Sequence, residues 1–321
     1  MSRYREADLS RLTLHPIEKR ESLVSIEQFA RPLARGAASA LIDSLPGILA
    51  GRALREIVEA VVSARRDGRP VVAMAGGHVV KTGVTPCLVE WIDAGILTAV
   101  ALNGAAAIHD VEIALFGRTS EDVEAGLRTG SFGMVTETAS FVNGAAREAA
   151  ARGEGFGESL GRLLVERGAP HRRASLLAAA YEVKIPATVH VALGADIVHA
   201  HASCDGAAVG ESTHRDFRIL AAALAPGAGV VFNIGSAVVL PEVFLKALTV
   251  ARNLGAPAEG LVTVNLDFLQ HYRPTQNVVV RPTRGTGHGY AVTGHHEILV
   301  PLLTAAVLDR WPGAPRPGEM P

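Results

Sequence analysis

One repeated order constrains this chain more than any other feature: an apolar run, a small-residue turn, then an amphipathic stretch. Arg52 to Arg65 reads as a helix with Leu54, Ile57, Val58, Val61 and Val62 on one face. VVAMAG (Val71 to Gly76) follows as an unbroken apolar run, and a Gly-rich turn leads into the helical VTPCLVEWIDAG. Pro86 stands near the start of that helix and Gly95 at its stop. ILTAVALNG and AIHDVEIALFG, ended by Gly117, repeat the order. Strands buried on both faces read as such runs, and helical crossovers between them make a parallel sheet covered on both sides. The expected class is α/β, a doubly wound, mainly parallel sheet.

The first forty residues read as an N-terminal arm with little strand pattern. Residues 41–312 read as a single α/β domain, and 118–185 as a helical insertion without a convincing strand. A Thr-x-x-Asp capping pattern (Thr119, Asp122) is expected to open that insertion. Strands then return as PATVHVAL, GVVFNIG and LVTVNLD, separated by helices around Arg218 to Ala225 and Glu242 to Leu254. VVVRP reads as a further strand, HHEILVPLLTAAVLDRW as a closing helix, and 313–321 as a disordered tail.

Composition excludes several classes. A formal net charge of −1 over 321 residues gives no electrostatic case for nucleic acid or an anionic membrane. No apolar stretch approaches a membrane span, and the polar start shows no signal-peptide core. Two cysteines, Cys87 and Cys204, suit a reducing compartment, so a cytoplasmic location is expected. Only Lys19, Lys81, Lys184 and Lys246 are lysines, so amine-nucleophile chemistry has four candidates.

Ligands of open parallel sheets lie beyond the carboxyl ends of the strands, where small residues admit a phosphate or ribose. Three such turns stand here: AGGHVVKTG, LNGAAAIHD and NIGSAVVLP. They nominate Gly76, Gly77, His78, Lys81, Thr82, Gly83, Asn103, Gly104, Gly235 and Ser236 as cofactor contacts. The alternative is that small residues only let helices sit close to strands, and that Lys81 is a solvated charge. Neither a P-loop nor G-x-G-x-x-G is present, and Asn103 replaces the acidic residue that grips a ribose.

His109 and Asp110 head a candidate catalytic set, read as starting a helix just after a strand-end turn. Helix capping by Asp110 and Glu112 is the competing account. His296, followed by Glu297, is placed at the start of the last helix; Val300 excludes HExxH. His199 and His201 would share a face if extended, and are expected to line a substrate pocket. With His190, Cys204 and Asp205 they offer a metal alternative, although no second paired spacing follows and no metal is assigned. His271, Arg273 and Arg281 make a basic segment suited to an anionic or carboxylate-bearing substrate.

From about Ile48 to Leu308 the order of features resembles the deoxyhypusine synthase superfamily. The resemblance rests on the two Gly turns, the Asp of HDVEIAL, Ile185-Pro186, IGSAVV and the VPLL of Val300 to Leu303. NGAAAIHDVEIALFG is also similar to the NAD-dependent ornithine cyclodeaminase domains of arginine-degrading bifunctional proteins. These resemblances imply a Rossmann-type fold, NAD at the strand ends, a functional His109, and a homo-oligomer (tetramer or dimer). Asp196 falls near an Asp that the synthases use for substrate. Leu240 stands where their substrate-linking lysine would be, and their acidic polyamine-holding run is missing.

The expectation is therefore an NAD-dependent enzyme oxidising a small amine or amino acid. Deaminase- or lyase-like chemistry fits better than polyamine transfer. A non-catalytic NAD- or nucleotide-binding protein and a metal-dependent hydrolase are the alternatives.

Overall fold

A computed structural model describes residues 9–30 and 36–313. Its strands among those residues are β1 (Val24–Ser25), β2 (Val71–Ala75), β3 (Ala99–Asn103), β4 (Arg118–Thr119), β5 (Ala187–His190), β6 (Val230–Ile234), β7 (Val262–Asp267) and β8 (His288–Thr293). Six of them form one sheet in the order β5-β3-β2-β6-β7-β8, every neighbouring pair parallel. Counted by appearance within the sheet, that order is 3-2-1-4-5-6, the doubly wound dinucleotide-binding order. The chain starts in the middle, winds out to β5, and returns to lay β6 against the other side of β2. The switch point therefore falls between β2 and β6.

The apolar runs explain why the sheet is covered twice. All five residues of β2 are buried. Val71, Ala73 and Ala75 join one core with Ile57, Val61 and Trp91, whereas Val72 and Met74 join a second with Leu220, Phe244 and Leu248. Alternate side chains of one strand thus need helices on both faces. The Leu49–Arg66 helix buries each of the five residues assigned to its apolar face.

Between β4 and β5 the chain is helical: Val123–Thr129, Thr136–Arg152, Phe156–Glu166 and Leu176–Val183. Among the described residues β4 pairs only with β1, in antiparallel fashion, so the N-terminal arm is stitched to the start of this helical stretch. Thr119 does not cap the Val123–Thr129 helix; Asp122 is the N-cap, accepting from Ala125 N at 3.0 Å. VVVRP is not a strand either. Val278–Val280 belong to a π-helical segment, Thr275–Val280, and the edge strand is His288–Thr293. Of the expected disordered tail, 314–321 lie outside the described residues.

The opposite edge, β5, is covered by polar side chains of the Gly206–Ala223 helix. Val189 N donates to Asp216 Oδ2 at 2.7 Å, Gly157 N donates to the same oxygen at 2.9 Å, and Thr213 Oγ1 donates to Val189 O at 2.7 Å. Burial pushes the Asp216 carboxyl up to about 8 against the pull of these amides. Below that value the folded chain keeps a proton that the unfolded chain releases near 3.8, so this group's contribution to stability falls as pH rises between the two. In Asp216→Asn the effect is absent. Variant-minus-parent unfolding free energy should grow by about 3 kcal/mol between pH 5 and 7 in urea titrations. A pH-independent difference would contradict a protonated Asp216.

Candidate active site

The Gly104–Phe116 helix starts directly after β3, with Asn103 as N-cap accepting from Ala106 N at 2.9 Å. His109 and Asp110 therefore sit beyond the first turn, not at the helix start. Residues one apart on a helix diverge by about 100°, whereas those three apart share a face. Asp110 turns into the protein, fully buried, and accepts from Ser175 Oγ at 2.5 Å, Leu176 N at 2.8 Å and Leu177 N at 3.2 Å. It holds the start of the Leu176–Val183 helix rather than that of its own, and burial raises its pKa to about 6. His109 and Glu112 turn the other way, into a pocket of 210 Å³.

That pocket gathers three residues singled out by sequence, Lys81, His109 and Asp196, together with Arg20, Glu112 and Glu121, which were not. Lys81 comes from the short Gly77–Lys81 helix after β2 and makes no ion pair among the described residues. Asp196 lies against the start of the Gly104–Phe116 helix: a Cβ on Gly104 would stand 2.0 Å from Asp196 Oδ2. Burial raises the Asp196 carboxyl to about 6 and also raises Glu121, which accepts from Gly133 N at 3.1 Å.

Glu112 is held from four directions. Arg20 Nη1 and Nη2 donate to its two oxygens at 2.8 and 3.0 Å, Thr119 Oγ1 at 2.5 Å and Thr138 Oγ1 at 2.7 Å. Burial opposes its charge, but Arg20 and the two hydroxyls outweigh that and hold its pKa below the ordinary value. His109 Nδ1 lies 2.7 Å from Thr119 Oγ1. Burial, outweighing the pull of Glu112, drives the imidazole down to about 4, so it is neutral at physiological pH.

At the switch point the β2 and β6 turns touch. A Cβ on Gly76 would stand 2.3 Å from Gly235 O, and one on Gly235 would stand 2.7 Å from His296 Cε1. A Cβ on Gly77 would press on Ala105 at 3.1 Å and on His109 Cδ2 at 3.3 Å. The space these glycines leave is thus filled by the chain itself, which is the packing account of the small residues. Ser236 Oγ accepts from Leu240 N at 3.3 Å. Gly83 (φ +73°) packs on Phe29, and Thr82 Oγ1 donates to Val79 O at 3.1 Å. His296 is buried; its Nε2 donates to Leu266 O at 3.1 Å and its Nδ1 has no partner among the described residues. His78 lies between it and the half-exposed Phe268, with ring centroids 5.9 and 6.0 Å away.

Other nominated residues lie elsewhere. His199 and His201 do not share an extended face, because Ile197–Ala200 is a 3₁₀ turn. His201 is buried with Nε2 donating to Gly133 O at 2.8 Å, and His190 is buried 3.0 Å from Thr188 Oγ1. No group of three His, Cys, Asp or Glu among the described residues is placed to hold a metal ion. His271, Arg273 and Arg281 are exposed and do not line the pocket. Arg273 faces Glu242 at 3.4 Å and Arg281 donates to Asn277 Oδ1 at 2.6 Å, so both cations are already engaged. Leu240, in the lysine's place, is fully buried core, and Lys246 is an exposed partner of Glu242.

The fold and site together define a doubly wound α/β chain with a small pocket, lined by ionisable and apolar side chains, beside its switch point. No family model and no curated protein matches the sequence. Solved structures do match. AgrE, in ternary complex with ornithine and NAD+, shares 17% identity at a TM-score of 0.55 over 88% of this chain and 34% of that one. A putative LOR/SDH protein from Methanococcus maripaludis S2 shares 15% at 0.52, over 87% and 73%. ArgZ, an arginine dihydrolase from the ornithine–ammonia cycle in cyanobacteria, shares 17% at 0.50, over 80% and 31%. At these identities the likeness is one of fold, and this chain spans about a third of AgrE and ArgZ. No helix among the described residues is long and apolar enough to cross a membrane.

Proposed function

We propose that this chain is an NAD-dependent enzyme that oxidises a small amine or amino acid, with deaminase- or lyase-like outcome. The observation that carries the reading is a neutral, half-buried His109 sharing a 210 Å³ pocket with Lys81, which has no ion pair among the described residues, and with the carboxyl groups of Asp196 and Glu121, at the carboxyl edge of the sheet. AgrE, of the same fold, is known with ornithine and NAD+ bound.

Side chains flanking the filled glycine turns of the switch point offer contacts suited to a dinucleotide. Among the described residues His296 Nδ1 is a buried acceptor lacking a donor and Lys81 an ammonium without an ion pair, open to an anionic group, while Phe268 and His78 offer ring surface. These four residues would hold it. The chemistry a bound NAD+ would supply is acceptance of a hydride from the substrate carbon bearing the nitrogen; the resulting substrate imine would be open to hydrolysis by water with release of ammonia, to cyclisation or to transfer. The chain's own part is to bind, orient and move a proton. Asp196 and Glu121 receive the substrate ammonium. His109 takes the proton that the ammonium must lose before its carbon can release hydride. Leu240 leaves no amine at the position where polyamine transfer would need one.

Titration calorimetry with NAD+ tests the cofactor assignment. Saturable one-to-one binding, weakened by Lys81→Ala, is expected. Heat no greater than dilution, in the presence or absence of ornithine and other small amines, would overturn it.

A further inference from the structure

We propose that Thr119, Glu112 and Arg20 form a positioning relay that locks His109 in its Nδ1–H tautomer and leaves Nε2 bare for the pocket. The inference deepens the reading of His109 as the proton acceptor and rests on it.

The assignment follows from counting protons. Glu112 accepts four hydrogen bonds, two of them from one guanidinium, so it is a carboxylate and has no proton to give. Thr119 has a single hydroxyl proton, and it goes to Glu112 Oε2 at 2.5 Å. Toward His109 the same oxygen can only accept, so the proton of the 2.7 Å contact is on Nδ1. A neutral ring with Nδ1 protonated has its lone pair on Nε2. That nitrogen has no hydrogen bond among the described residues, nor is it among the sealed, unpartnered atoms. Cδ2, its neighbour in the ring, lies beside Gly77 on the route to the switch point.

The relay is anchored by the N-terminal arm. Arg20 reaches Glu112 across 92 residues of sequence, and both are buried. β1 of the arm pairs with β4, which carries Thr119. Ser120, next along, is held at φ +67°, a conformation that costs a non-glycine residue about 1 kcal/mol or more. Leu23 N donates to its carbonyl at 3.1 Å and helps to fix that turn. The arm thus reaches the reacting group through three residues that act on the reaction by way of His109; they are positioning residues.

The test reads the tautomer directly. In the 15N-histidine-labelled protein without ligand, His109 should show a protonated Nδ1 and an unprotonated Nε2 at neutral pH. Thr119→Val removes the hydroxyl while keeping the shape, and should give mixed or Nε2–H signals; Thr119→Ser should restore the parent pattern. With a turned-over substrate, kcat in Thr119→Val should fall by about 10²-fold or more with KM nearly unchanged, and Thr119→Ser should recover most of it. An Nε2–H ring in the parent protein overturns the relay, whether or not any variant folds. So does a Thr119→Val spectrum identical to the parent's. If the tautomers behave as described and no substrate is found, the relay stands and the proposed reaction fails.

Discussion

Replacing His109 by glutamine is expected to lower kcat by about 10²- to 10⁴-fold, the range of a lost general base. Glutamine can still meet Thr119 and fill much of the ring's volume, but it cannot take a proton at neutral pH. The loss should fall on kcat more than on KM, because Asp196 and Glu121 remain to hold the substrate. NAD+ affinity should change little, since His109 is not among the four residues proposed to hold the dinucleotide. Paired calorimetry and steady-state kinetics on the variant check both statements. Loss of NAD+ binding with residual turnover would make His109 a cofactor contact instead. The imidazole is neutral above about 4, so parent activity should not show an acid limb near the ordinary histidine value arising from this group.

Glu112→Ala is expected to be the most damaging single change to stability near the pocket. It leaves the buried Arg20 guanidinium without its carboxylate and removes the acceptor of two hydroxyls, Thr119 and Thr138. Breaking a buried ion pair from one side costs about 3–5 kcal/mol, far above the change at exposed pairs. The exposed Lys246–Glu242 pair is the control: Lys246→Ala should cost less than about 1 kcal/mol. Chemical denaturation of both variants makes the comparison. Equal losses would mean that the Arg20–Glu112 pair is not the anchor of the arm.

The winding of the fold was legible because buried parallel strands leave a continuous apolar trace that no surface strand leaves. VVAMA, AVALN and VVFNI each announce themselves in this way, and their glycine turns mark where helices begin. The strand order was not legible, since pairing β6 with β2 is a tertiary choice that places no mark on either segment. VVVRP misled for a related reason. Its β-branched run follows a helical Tyr272–Pro274 turn and is pinned by Val278 in the core and Asn277 on Glu242, so tertiary contacts override strand propensity. His288–Thr293 went unseen because its residues are mostly exposed and include a glycine.

The site divided along the same line. His109 and Lys81 stood out as polar residues at strand-end turns, where chemistry in this class of fold gathers, and Asp196 only through the family resemblance. Asp110 stood out equally, yet its neighbour's face is the one that meets the pocket. Reading the helix from Gly104 would have paired His109 with Glu112 at i, i+3. Arg20 and Thr119 lacked even that signal, because one lies in an arm without motif and the other in a two-residue strand. The basic run at 271–281 was legible as charge, but its neighbours Glu242 and Asn277 were not visible as the groups that engage it.

In the proposed reaction a small amine or amino acid gives up a proton to His109 and a hydride to NAD+. The most direct measurement uses ornithine and related amines deuterated at the carbon bearing the nitrogen, incubated with the protein and NAD+ and followed by mass spectrometry of cofactor and products. The account predicts deuterium on the reduced cofactor, or returned to product where the cofactor is recycled, in the parent and not in His109→Gln. Product formed with full retention of deuterium at the original carbon, or at equal rates in both proteins, would contradict it.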